Sequence, residues 1–141
     1  MGDGGSQFTG VIVAFFTIKT LFHANESIGT TSWLGPCLAL VALTPAAADT
    51  LTVVINRLKA GRSPMVGGKD HTTHHLVYSG KSDSQVWKVF LGLSILSSVM
   101  TVLLYILAAN STMAAGIIGI VYFLSVFSFL HRKTIKYQQK A

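Results

Sequence analysis

Four long apolar stretches, at roughly residues 8–23, 33–55, 86–108 and 113–130, leave this 141-residue chain few ways to fold. Each comes near the ~20 residues that cross ~30 Å of hydrocarbon at about 1.5 Å per residue. Half of the chain is apolar and only 11% is charged, whereas a soluble domain carries about 25% charged residues. A soluble domain of this length could not hide so much apolar surface. In lipid every backbone N–H and C=O must find a partner within its own segment, which leaves helices; the strands of a membrane barrel would show as short alternating segments instead. The expected fold class is all-α: one membrane domain over residues 1–141, a polytopic bundle of about four spanning helices.

The charges predict its orientation. Residues 56–85 form the one long polar segment, a loop between the second and third stretches. Arg57, Lys59, Arg62, Lys69, Lys81 and Lys88 lie on or beside it, and Arg132, Lys133, Lys136 and Lys140 follow the last stretch. The short connections 24–32 and 109–112 hold no Lys or Arg. Positive residues stay inside, so the long loop and both chain ends are expected on the cytoplasmic face of the cell (inner) membrane. This arrangement accounts for the net charge of +6 without a nucleic-acid partner. The first stretch is short and carries Lys19, which is expected to snorkel to the interface. Trp33 and Trp87, near stretch ends, read as interfacial anchors. Pro45 should bend or open its helix. Small residues such as Gly92, Ser97, Gly116 and Gly119 should let helices pack closely. The lone Cys37 excludes an intrachain disulfide and a zinc ribbon.

Three places carry polar chemistry. The loop holds His71, His74 and His75 within five residues, beside Lys69 and Asp70 and after Gly67-Gly68. Imidazoles bind metal, move protons or donate to phosphate, and arginine holds anionic oxygens bidentately. No cysteine or second histidine cluster completes a tetrahedral zinc set. Asp49 lies near the loop end of the second stretch, where an acid is costly unless it faces a cavity or a partner. Asp3 sits in a glycine-rich run just before the first stretch, suited to a divalent cation and phosphate oxygens.

Three segments together resemble the polyprenyl-phosphate N-acetylhexosamine-1-phosphate transferases, relatives of the phospho-MurNAc-pentapeptide translocases. Met1-Gly2-Asp3-Gly4-Gly5-Ser6, followed by Phe8-Thr9-Gly10, looks like the family's Met-Gly-Asp-x-Gly-Ser block. Pro45 to Thr50, continuing to Arg57, looks like its Pro-x-x-Asp-Thr helix and basic end. Gly61-Arg62-Ser63-Pro64 leading to His71-Thr72-Thr73-His74-His75 resembles its His-x-His-His loop, with two residues here where that pattern has one. The family's earlier helices carry a paired-aspartate loop, and this chain has no Asp-Asp pair. The expectation is therefore the C-terminal portion of such an enzyme, natural or from a truncated reading frame, inactive alone and completed by a missing N-terminal half.

The resemblance implies a membrane enzyme that moves N-acetylhexosamine-1-phosphate from a UDP-sugar to polyprenyl (undecaprenyl) phosphate, initiating cell-envelope glycan synthesis. It implies Asp3 as the ligand of Mg²⁺, with Mn²⁺ as a substitute, and Asp3 and Asp49 as catalytic residues. It implies Arg57, Arg62, Lys69, His71, His74 and His75 as substrate-binding residues. The partners would be a UDP-N-acetylhexosamine, polyprenyl phosphate and the membrane, with a second copy of the chain as a further candidate. The alternative is a small non-catalytic membrane protein that binds an anionic nucleotide or lipid.

Overall fold

The computed structural model describes residues 8, 10–19, 33–63 and 71–137. They form six helices: α1 (Gly10–Lys19), α2 (Leu34–Ala42), α3 (Thr44–Lys59), α4 (Thr72–Tyr78), α5 (Asp83–Ala108) and α6 (Thr112–Lys136), with no strand among the described residues.

Two of these helices are long and apolar enough to cross a membrane, α5 and α6, and a third crossing arises if the bent pair α2–α3 is taken as one span. Of the four expected spans, two to three thus have candidate helices among the described residues. At about 1.5 Å per residue the 26 residues of α5 extend ~39 Å, enough for a bilayer core. The helices of the third and fourth apolar stretches run further than their hydropathy suggests, because capping rather than hydropathy sets their ends. Ser82 and Gln85 cap the start of α5 reciprocally, and the Ser111 hydroxyl accepts the Ala114 N–H at the start of α6. Lys133 and Lys136 close α6 where the helix dipole favours cations. In the first stretch the described helix α1 covers the ten residues Gly10–Lys19, and its apolar side chains are exposed.

The second stretch breaks in the middle. Helices α2 and α3 meet at Leu43 with a bend of 82°. Pro45 stands in the first turn of α3, where its missing N–H costs nothing; continued as one helix, its ring would meet the Val41 carbonyl. The Leu40 carbonyl is taken instead by the Thr44 hydroxyl at 3.0 Å. The expected 56–85 loop is also more ordered than its polarity suggests: α3 runs on to Lys59, α4 occupies Thr72–Tyr78, and α5 begins at Asp83.

Helices α5 and α6 form an antiparallel hairpin, tied midway by the Ser97 and Tyr122 hydroxyls at 2.8 Å. Leu34, Leu38 and Val41 of α2 pack with Leu104, Ala108 and Ala115 toward the hairpin turn, and Ala48 of α3 packs with Val126 and Leu130 toward its open end. Trp33 lies against Gly116, one turn into α6, while Trp87 is exposed one turn into α5, at the opposite end of the hairpin. That is where two interfacial belts would hold them. Only 17% of the most apolar window of α5 is buried, so a broad Leu, Ile and Val surface faces outward, as lipid contact requires.

Thr52 is fully buried on α3, and its hydroxyl has no hydrogen-bond partner among the described residues. An unpaired buried hydroxyl costs about 1–3 kcal/mol. Thr52→Val, which keeps the shape and removes the hydroxyl, should raise the unfolding midpoint in detergent by about 1 kcal/mol of stability. A lower midpoint would mean that the hydroxyl has a partner in the folded protein.

Candidate functional site

The polar side chains converge at the open end of the hairpin. Asp49 lies on α3, one turn after Pro45, with its side chain 15% exposed. Its Oδ1 accepts the Thr72 N–H at 2.7 Å, and its Oδ2 lies 2.9 Å from His71 Nδ1. Thr72 is the first residue of α4, and His71, just before it, makes no side-chain cap of its own. Asp49 therefore does from α3 what a local Ser or Asp would do: it satisfies an orphan amide and sets a negative charge at a helix N-terminus. Each of its oxygens accepts one hydrogen bond at the start of α4.

Helix α4 is held on its other side by α6. The Thr134 hydroxyl lies 3.1 Å from the Leu130 carbonyl and 3.2 Å from the Thr72 hydroxyl. Thr134 is the donor toward both acceptors, its one proton going to either, and both threonine side chains are fully buried. His75, 8% exposed, donates from Nδ1 to the Tyr137 carbonyl at 3.1 Å and meets the Tyr78 ring edge-on. These contacts place the histidine segment, Asp49 and the C-terminal end of α6 at one end of the bundle.

The histidines are not equivalent. His71 is half exposed; with Nδ1–H committed to Asp49, its Nε2 is left for a ligand, and a carboxylate behind an imidazole fixes both tautomer and ring direction. His74 is half-buried on the first turn of α4. His75 is largely consumed in holding α4 to α6, leaving Nε2 as its one nitrogen for other work. Arg57 is buried, 7% exposed, in the last turn of α3, and Arg62 is exposed just beyond, its N–H on the Arg57 carbonyl at 2.8 Å. Asp3 and Lys69 lie outside the described residues. Among the described residues no group of three His, Cys, Asp or Glu is placed to hold a metal ion.

Thr72, Thr134 and the Tyr137 carbonyl belong to this site, and sequence reading passes over them. Thr72 and Thr134 stand 62 residues apart and look like ordinary helix residues in isolation. The one local signal is that α4 lacks a cap of its own, so a remote acceptor had to be found.

The arrangement is a carboxylate-oriented imidazole on a clamped short helix, with cations at the neighbouring end of α3. It is suited to phosphate oxygens, which imidazolium and guanidinium groups bind by charge-assisted hydrogen bonds. Comparison with family models, with curated proteins and with solved structures finds no match to this chain.

Proposed function

We propose that this chain works as the C-terminal part of a membrane enzyme that transfers N-acetylhexosamine-1-phosphate from a UDP-sugar to polyprenyl phosphate. The observation that carries the reading is the Asp49–His71 contact at 2.9 Å. It joins two of the segments that carry the resemblance, the Pro45–Thr50 helix and the histidine segment, at the polar end of an apolar hairpin.

In the reaction an oxygen of the lipid phosphate attacks the sugar-bearing phosphorus. The bond from that phosphorus to the bridging oxygen breaks, and UMP leaves with the bond's electrons. Phosphoryl transfer asks the protein for alignment and charge neutralisation more than for covalent help. As an imidazolium, His71 would donate Nε2–H to a phosphate oxygen, with Nδ1–H on Asp49 holding the ring in place. His74, Arg57 and Arg62 would supply further positive charge to the diphosphate, and Lys69 would add to it. Asp3, by resemblance, would hold the Mg²⁺ that neutralises the diphosphate. The reading also sets the polar end on the cytoplasmic face, where UDP-sugars are found and polyprenyl phosphate can be met at the lipid boundary.

The test is UMP release from UDP-N-acetylglucosamine in membranes that contain this chain together with the N-terminal half the resemblance implies. Release should depend on both halves, and His71→Ala should lower it about 100-fold, the scale of losing one oriented donor to a developing oxyanion. Unchanged release in His71→Ala would remove His71 from the site. Tight UDP-sugar binding with no release by the joined halves would favour a non-catalytic binding protein.

A further inference from the structure

A second basic site lies on the opposite side of α6 from the α4 clasp. Ser125, Ser128, Phe129, Arg132 and Lys133 line an open groove of about 350 Å³. They recur at three- and four-residue spacing, so at 100° per residue they share one face of the helix. Val126, Leu130 and Thr134 are buried on the other face, toward α3 and α4. We propose that this groove docks the phosphate of an anionic phospholipid headgroup, independently of the transferase reading.

The argument is one of charge, depth and shape. Arg132 and Lys133 stand in the last turns of a spanning helix, where apolar surface gives way to water and a headgroup phosphate lies. No carboxylate pairs with either cation among the described residues; Lys133 Nζ lies over the Phe129 ring, 5.7 Å from its centroid. That contact pins the ammonium along the groove rather than letting it extend into water. The Ser125 hydroxyl proton is given to the Val121 carbonyl at 2.7 Å, so this hydroxyl satisfies itself at a depth where water is scarce. Below the cations, Phe129, Leu124 and Val121 are exposed and offer an apolar track for an acyl chain. A guanidinium and an ammonium above an apolar track match a phosphate above a hydrocarbon tail. A soluble phosphate would use the charges and leave the track idle.

In native mass spectrometry, the full chain in detergent should retain phosphatidylglycerol in preference to phosphatidylcholine. In R132Q/K133Q, retention of phosphatidylglycerol should fall about 30-fold, each cation near an anionic surface contributing about fivefold. Removing two cations elsewhere, in K81Q/K88Q, should leave it within about twofold. S128L, which fills the groove and keeps both cations, should also weaken retention, so the inference does not depend on how the charge variant folds. Equal retention by R132Q/K133Q and the native chain would overturn the site, as would equal loss in the two double variants, which would mean diffuse charge. Displacement of the lipid by millimolar inorganic phosphate would also overturn it, in favour of a free-anion site.

Discussion

Replacing Asp49 with alanine is expected to release α4 from α3 and accelerate amide exchange over Thr72–Tyr78 by about 100-fold. The size follows from the two hydrogen bonds that the carboxylate accepts, from the Thr72 N–H on Oδ1 at 2.7 Å and from His71 Nδ1 on Oδ2 at 2.9 Å. Hydrogen bonds to a charged group contribute about 1.5–3 kcal/mol each, and the pair shares one carboxylate, so a joint loss of about 3 kcal/mol is appropriate. The remaining ties, from Thr134 to Thr72 and from His75 to the Tyr137 carbonyl, are between neutral groups and hold less. Asp49→Asn separates two roles. Its amide oxygen still accepts the Thr72 N–H, but its NH₂ group faces His71 Nδ1, and the imidazole must change tautomer to accept. Exchange in Asp49→Asn should therefore lie between the native and Asp49→Ala rates, and so should UMP release. If both variants lose release equally while only Asp49→Ala loosens α4, the charge itself acts on the substrate and Asp49 is more than a positioning residue. Native exchange over Thr72–Tyr78 in Asp49→Ala would remove the clasp altogether.

The sequence made some of this legible and hid the rest for physical reasons. The two helices long and apolar enough to span a membrane follow from apolar length, and the bend in the second stretch follows from Pro45, because apolarity and proline act locally. Hydropathy could not show that α2 and α3 part by 82° into two short helices, since both halves are apolar enough to add to one continuous stretch. It also made residues 56–85 look like a loop. Helix α4 is stabilised by Asp49, Thr134 and Tyr137, none of which is near it in sequence, and a polar seven-residue helix has no periodic signal strong enough to announce itself. At the site, chemistry-bearing residue types singled out Asp49 and the histidines separately, and the fold brings Asp49 into contact with His71. The division of labour did not show. His71, set apart by the two threonines that follow it, is the histidine held by the carboxylate, whereas His75 is occupied with a backbone carbonyl.

Gly119→Leu should strongly destabilise the apolar part of the bundle. A Cβ placed on Gly119 would lie 3.1 Å from Val41 Cγ2, 3.2 Å from Cys37 Sγ and 3.3 Å from Leu104 Cδ1. Two of these walls belong to α2 and one to α5, so the glycine sits where three helices meet. In lipid, helices gain little from excluding water and hold together by close packing, which makes such a point of approach matter more than its size suggests. Alanine needs its neighbours to yield a few tenths of an ångström and should cost about 1 kcal/mol; leucine must push α2 outward and should cost about 3 kcal/mol. Gly92→Leu is the matching control, because nothing lies within 4 Å of a Cβ there and the added side chain would face lipid. Thermal unfolding in detergent should place Gly119→Leu well below the native protein and Gly92→Leu close to it. Val41→Ala added to Gly119→Ala should recover part of the loss, since one change clears the space that the other fills. Equal melting of Gly119→Leu and Gly92→Leu would mean that α2 does not pack into the hairpin. Because α2 leads directly into α3, the placement of Asp49 beside α4 depends on that seat.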